Sequence, residues 1–445
     1  MGQTQKFGGF TTNIDDILDD DTMATASATT LATSESIKAY VDANAGGGAF
    51  SDWSSIGTGG DYADVQAMLT ALKYKGYLLS NVTEDSVIAP DANGLYLHLN
   101  NFILTMGDNN IVPSAACNIT IEGFGPSSEI DYTSTTEKQL ISTGAFTTCV
   151  TTLDNFKYDN NSAEADTHLV TSTSEVHITM LTIEPPNLAA VSGSPIGIEI
   201  ANIRSYARDI VVVSEGTSTR NVIQGSEGSL ANLHMIGAFS ATITNPTISI
   251  GGGSTMVVNG VVSTAAFSML LSAGCAVSNV SKTGGTANIA LAGSDIKLSN
   301  VNYSTGTSTI DVQNADDWQI DNVQCGTLDL TDAGSLNGSL TNSWITAAVT
   351  IAGDYHKISN NPFDGALTVS AGAVRNILTG NSIVGAVSIS DQTIMTGNRV
   401  GAVAGGGAVT ITVAAGTGTV LTGNITDAAI SDSGTDTVLN GNSVY

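Results

Sequence analysis

A three- or four-residue phrase recurs along the C-terminal part of this chain: an apolar residue, a small polar residue, then Asn, sometimes with Gly inserted. It reads VVN from Val257 to Asn259, VSN to Asn279, LSN to Asn300, IDN to Asn322, LTN to Asn342 and ISN to Asn360. It continues as LTGN from Leu378, MTGN from Met395, LTGN from Leu421 and LNGN from Leu439. Most of these phrases are about 20 residues apart, a period that marks an array of stacked coils, each burying its apolar face against the next. The apolar residue of each phrase then falls in one interior column. The Asn (Asn259, Asn279, Asn300, Asn322, Asn342, Asn360) falls at one corner, where its tolerance of left-handed backbone and its amide suit a ladder of turns. Irregular spacing excludes the strict hexapeptide and nonapeptide solenoids. The expectation is an all-β chain folded as a right-handed parallel β-helix. With strands about 4.8 Å apart, about 16 coils over residues 95–445 make a rod roughly 80 Å long.

Composition agrees with this expectation. The 445 residues include 48 glycines and 8 prolines, 42% are hydrophobic and only 12% are charged, so the chain is poor in helix formers yet able to build a core. The net charge is −27 and Lys and Arg are nowhere clustered, which argues against nucleic acid as a partner. The four cysteines (Cys117, Cys149, Cys275, Cys325) lie far apart without CxxC spacing and read as small buried thiols. The opening MGQTQKFGGF has no apolar core of a signal peptide, and no stretch is long enough to insert in a membrane.

The N-terminal part divides differently: residues 1–48 read as an arm ending in a short helix, 49–95 as a capping region and 96–445 as the β-helix. Asp15, Asp16, Asp19, Asp20 and Asp21 lack the alternation and Gly of a calcium loop, leaving a solvated or partner-docking arm. Residues 33–44 read as a helix whose stripe of Ile37, Tyr40 and Val41, extended by Leu31, is stable when it meets copies of itself about a symmetry axis. A second helix is expected over 61–73, with Asp61 as N-cap and Val65, Met68, Leu69 and Leu72 on one face, covering the open end of the solenoid.

The segment DDDTMATASATTLATSESIKAYVDA, residues 19–43, resembles a linker near the start of many tail-fibre and tailspike proteins of tailed bacteriophages. GDYADVQAML, NITIEGFG and the Asn-bearing coils are similar to the pectin-lyase-like β-helices of phage tailspikes. The resemblance implies a homotrimer on a virion, made in the host cytoplasm. Its N-terminal arm would dock to other virion proteins (a tail adaptor, nozzle or baseplate) and its β-helix would meet a host-surface glycan or protein. The coil phrase persists to Asn442, so a separate C-terminal head is not expected.

Chemistry is sparse. A glycan-cleaving spike needs paired carboxylates. The one dense acidic stretch is LDNFKYDNNSAEADTH, with Asp154, Asp159, Glu164 and Asp166, and it reads first as a polar loop between coils. Glu122 and Glu199 read as outward ladder residues, and Arg204 and Arg208 as surface ion-pair partners. The five histidines lack metal-ligand spacing, and no cofactor motif occurs. Trp318, Trp344 and Tyr355 flank Asn corners in neighbouring coils and are candidate ligand contacts, with interior or trimer packing as the competing role. The expected function is attachment to a host surface without catalysis. A polysaccharide depolymerase and a capsid decoration or structural tail component are the alternatives.

Overall fold

In the computed structural model, residues 16–18, 30–32 and 53–445 are described, except 134–138, 144–145, 162–167, 172–173, 185–197, 220–222, 240–246, 252–255, 265, 304–307 and 402–407. The chain is a parallel β-solenoid of about 15 turns with almost no helix. All strand pairings are parallel among the described residues.

Each C-terminal coil contributes three short strands. In one coil these are Lys357–Ser359, Pro362–Phe363 and Leu367–Val369, and each pairs with its counterpart one coil on: Ile377–Thr379, Ser382–Ile383 and Val387–Ile389. In-register residues on neighbouring parallel strands point the same way, so the apolar residue of each phrase stacks on its equivalent. Val277, Leu298, Ile320, Leu340, Ile358, Leu378, Met395 and Leu421 are all buried, each contributing roughly 1.5–3 kcal/mol of apolar burial. The phrase at 257 is displaced by one. Val258, not Val257, pairs with Val277 and is buried, while Val257 faces out. A one-residue slip sends a strand side chain to the opposite face.

The same slip sorts the Asn residues. Asn279, Asn300, Asn322, Asn342 and Asn360 have φ between +52° and +59°, and at the displaced coil Gly260 takes the left-handed position instead of Asn259. In the four-residue phrases Gly380, Gly397, Gly423 and Gly441 occupy this corner. The Asn that follows each Gly then points inward, as does Asn361 after the left-handed Asn360. Asn361, Asn381, Asn398 and Asn424 are buried and form a second ladder, continued by Asn442, in which each amide donates to the Oδ1 of the next coil's Asn at 2.9–3.0 Å. The outer ladder is exposed and looser: Asn279 donates to Asn259, Asn300 to Asn279 and Asn322 to Asn300 at 2.6–3.2 Å, whereas Asn342 turns to Asp321.

At the N-terminal end the first rung, Trp53–Ile56, pairs with Lys75–Leu78, which pairs with Leu95–His98. The helix between the first two rungs, α1, is shorter than expected. It spans Val65–Thr70, with Asp64 rather than Asp61 as N-cap. Asp61 instead accepts hydrogen bonds from the Ser55 N–H and Oγ at 2.9 and 2.8 Å. Val65, Met68 and Leu69 are buried in the core, but Leu72 has φ +59° and is exposed, because the chain must turn there to reach the next strand. Gly76 makes room for this packing, since a Cβ there would lie 2.6 Å from both Ile56 Cδ1 and Met68 Sδ. Leu31 lies in a strand, Thr30–Ala32, paired with Asp16–Leu18 rather than on a helix. Ile37, Tyr40 and Val41 lie outside the described residues.

Candidate functional site

Two outward columns run across the first rungs. One carries Trp53, Lys75, Tyr96, Thr120, Thr152, His177 and Tyr206, and the other carries Tyr77, His98, Glu122, Asp154, Thr179 and Arg208. Where they begin, Trp53, Tyr77, Tyr96, His98, Asn100 and Phe124 line an open groove of about 530 Å³. The rings brace one another: Trp53 meets Tyr96 edge-on at 4.9 Å, and His98 lies 4.5 Å from Phe124. Phe124 is 62% exposed, an unusual position for a ring of that size. It lies within the strand Ile119–Tyr132, its N–H held by Ser128 Oγ at 2.7 Å.

Beside the groove, on the column that continues from His98, stand Glu122 and Asp154. They are direct register partners on neighbouring rungs, where strands lie about 4.8 Å apart. Tyr96 donates its hydroxyl to Glu122 Oε2 at 2.5 Å, and Asp154 accepts from Thr179 Oγ1. Burial, the bond to Glu122 and the negative charges of Glu122 and Asp154 push the Tyr96 phenol up to about 12, so it stays a donor at neutral pH. Farther along the columns, His177 stacks on Tyr206 at 4.5 Å and bonds Glu175, and the Arg208 guanidinium lies over Tyr206. Arg204 reaches Glu175 at 3.9 Å.

The dense acidic stretch is not a loop where it is described. Val150–Asn160 is a strand bent at Asn155 (φ +58°), with Leu153, Phe156 and Tyr158 buried. The bend separates its two described candidates. Asp154 stands next to Glu122, beside the groove. Asp159 lies beyond the corner beside Lys157, whose ammonium also contacts Glu129 and Glu184 at 3.4 and 2.8 Å. Burial opposes that charge, yet bonds to Glu184 and Asp159 raise the Lys157 pKa, so this cluster is an ion-pair network in which one ammonium holds three carboxylates. Glu164 and Asp166 lie outside the described residues.

The three candidate aromatics part company. Trp318 is fully buried, its indole N–H donated to Ser335 Oγ at 2.9 Å, and it fills the space left by Gly338, where a Cβ would fall within 2.3 Å of the indole. Interior packing is therefore its role. Tyr355 sits at a different left-handed corner, in contact with Arg375. Trp344 is exposed, donates to Asp364 at 2.8 Å and lines a smaller polar groove with Asn300, Asn302, Asn322, Gln324 and Asn342. Among the described residues no cluster of three or more His, Cys, Asp or Glu could hold a metal. All four cysteines are free and buried.

The aromatic groove had no signal in local sequence. Its residues come from four separate rungs that share no recurring phrase, and only the register brings them together. The fold and this groove define a β-solenoid with an aromatic and acidic lateral face. Comparison with known proteins finds no matching family model, no matching curated protein and no matching solved structure.

Proposed function

We propose that this chain is a fibre or spike of a tailed phage particle, and that it attaches the particle to a host-surface glycan through the groove of Trp53, Tyr77, Tyr96, His98 and Phe124. The observation that carries the reading is this cluster of braced, partly exposed rings on a rigid rung scaffold. Pyranose rings present apolar faces to aromatic rings, while Asn100, Glu122 and the Tyr96 hydroxyl offer partners for sugar hydroxyls. The excess of acidic residues suits a neutral or basic glycan better than a polyanionic one. The resemblance of residues 19–43 to phage fibre linkers supports a virion location and a trimer, with the arm as the docking element.

The test is binding of the purified protein to capsular and outer-membrane polysaccharides from candidate hosts, followed by Trp fluorescence and calorimetry. Phe124→Ala and Tyr77→Ala are each expected to weaken binding about 10-fold, corresponding to about 1.4 kcal/mol per stacked ring. Unchanged affinity in both would remove the groove from the reading. A depolymerase is the second reading, favoured by the adjacency of Glu122 and Asp154, since a retaining glycosidase holds its carboxyls about 5–5.5 Å apart. Release of reducing ends, lost about 10²–10⁴-fold in Glu122→Gln and Asp154→Asn, would promote it.

A further inference from the structure

We infer that Cys117 and Cys149 form an oxidisable staple across the two rungs that present Glu122 and Asp154. The two cysteines each lie two residues ahead of the register pair Ile119 and Thr151, so they occupy equivalent places on adjacent rungs. Rung spacing sets equivalent Cα atoms about 4.8 Å apart, inside the 4.4–6.8 Å span of disulfides. The Cys149 side chain already reaches Cys117: its Sγ accepts the Cys117 backbone N–H at 3.2 Å. The other two cysteines have no such neighbour. Cys325 pairs with Ile345, and Cys275 precedes the pair Ala276 and Lys297, which sets it beside Ile296.

The oxidant is a peroxide. One thiolate attacks the O–O bond, forming a sulfenic acid and releasing hydroxide, which takes a proton to become water. The second thiolate attacks that sulfenic sulfur; the S–O bond breaks, the S–S bond forms and hydroxide leaves, taking up the proton released by the second thiol to become a second water. Two thiols and one peroxide thus give one disulfide and two waters. Burial pushes the Cys117 thiol up to about 11 and keeps the thiolate scarce, so closure is slow. A chain folding in a reducing compartment therefore keeps the thiols free, and the staple closes only after prolonged exposure to oxidant. This inference does not depend on the glycan reading, because its readout is covalent.

The experiment is to incubate the full chain with hydrogen peroxide under native conditions, block free thiols after denaturation and map peptides without reduction. The expected result is a Cys117–Cys149 cross-linked peptide, a mass loss of about 2 Da, and Cys275 and Cys325 recovered as alkylated thiols. Amide exchange at residues 119–122 and 151–154 should slow about 10-fold once the staple closes. Cys149→Ser should lose the mass change and leave Cys117 alkylatable. If that variant fails to fold, the wild-type peptide map decides alone. Recovery of both thiols free, their over-oxidation to sulfinic acid, or scrambling with Cys275 or Cys325 would each overturn the staple.

Discussion

Asn398→Ala is expected to lower the local stability of the C-terminal coils by about 3–5 kcal/mol, one of the largest effects of any single polar substitution in this chain. The Asn398 amide donates to the Leu378 carbonyl at 2.9 Å and to Asn424 Oδ1 at 3.0 Å, while its own Oδ1 accepts both the backbone N–H and the side-chain amide of Asn381. Truncation strips partners from groups on both flanking coils at once. All are buried, and each unpaired group costs about 1–3 kcal/mol, with incomplete additivity. Asn322→Ala removes a similar amide from the exposed outer ladder and should cost only about 1–2 kcal/mol, most of it from placing Ala at φ +52°. Asn322→Gly should recover most of that loss, and Asn398→Gly should recover none. Because a solenoid opens rung by rung, hydrogen exchange over residues 377–426 is the proper measurement. Equal losses at the two positions would mean that the inner ladder is not a cooperative network.

This contrast also shows what could be read in advance. The period, the parallel solenoid and the interior column from Val277 to Leu421 follow from the spacing of one phrase. The phrase conceals two ladders. Inserting a single Gly moves the left-handed corner onto that Gly and turns the Asn from the surface into the core, as at Gly380 and Asn381. Val257 and Val258 are chemically identical, so only strand pairing decides which is inside. Trp318 and Trp344 both flank the corner strands, yet one is buried and the other exposed, because they stand on opposite sides of the strand run. The groove is the hardest feature to anticipate. Asp154 is visible as an acidic residue, but its partners Glu122 and Tyr96 belong to preceding rungs at irregular separations, and adjacency in a solenoid is set by register rather than by sequence distance.

The two ends of the solenoid are expected to respond to pH in opposite directions. Near the N-terminal end, Glu84 is buried, with Oε1 accepting the Val65 N–H at the start of α1 and Oε2 without a hydrogen-bond partner among the described residues. Burial, opposed by that N–H bond and reinforced by the charge of Asp64, raises its carboxyl from 4.5 to about 7. A carboxyl raised on folding binds protons more tightly in the folded state. Its contribution is therefore fully present below pH 4.5 and is lost as pH rises toward 7, by up to about 3 kcal/mol. In the C-terminal half, His356 is buried beside Trp318, Nδ1 accepting the Gly338 N–H at 3.0 Å while Nε2 lacks a hydrogen-bond partner among the described residues. Burial lowers its pKa from 6.5 to about 4, despite the opposing charges of Asp354 and Asp316. The unfolded chain here binds the proton more tightly, so stability is present above 6.5 and is lost as pH falls toward 4, by a similar amount. Nearest-neighbour coupling keeps the two effects local. Hydrogen exchange at pH 5 and pH 8 should show rungs 53–105 tightening at the lower value and rungs 335–379 tightening at the higher one. Glu84→Gln should abolish the first dependence and His356→Gln the second, each leaving the other intact. A single pH profile shared by both ends would mean that the solenoid opens as one unit and that neither buried group governs its own rungs.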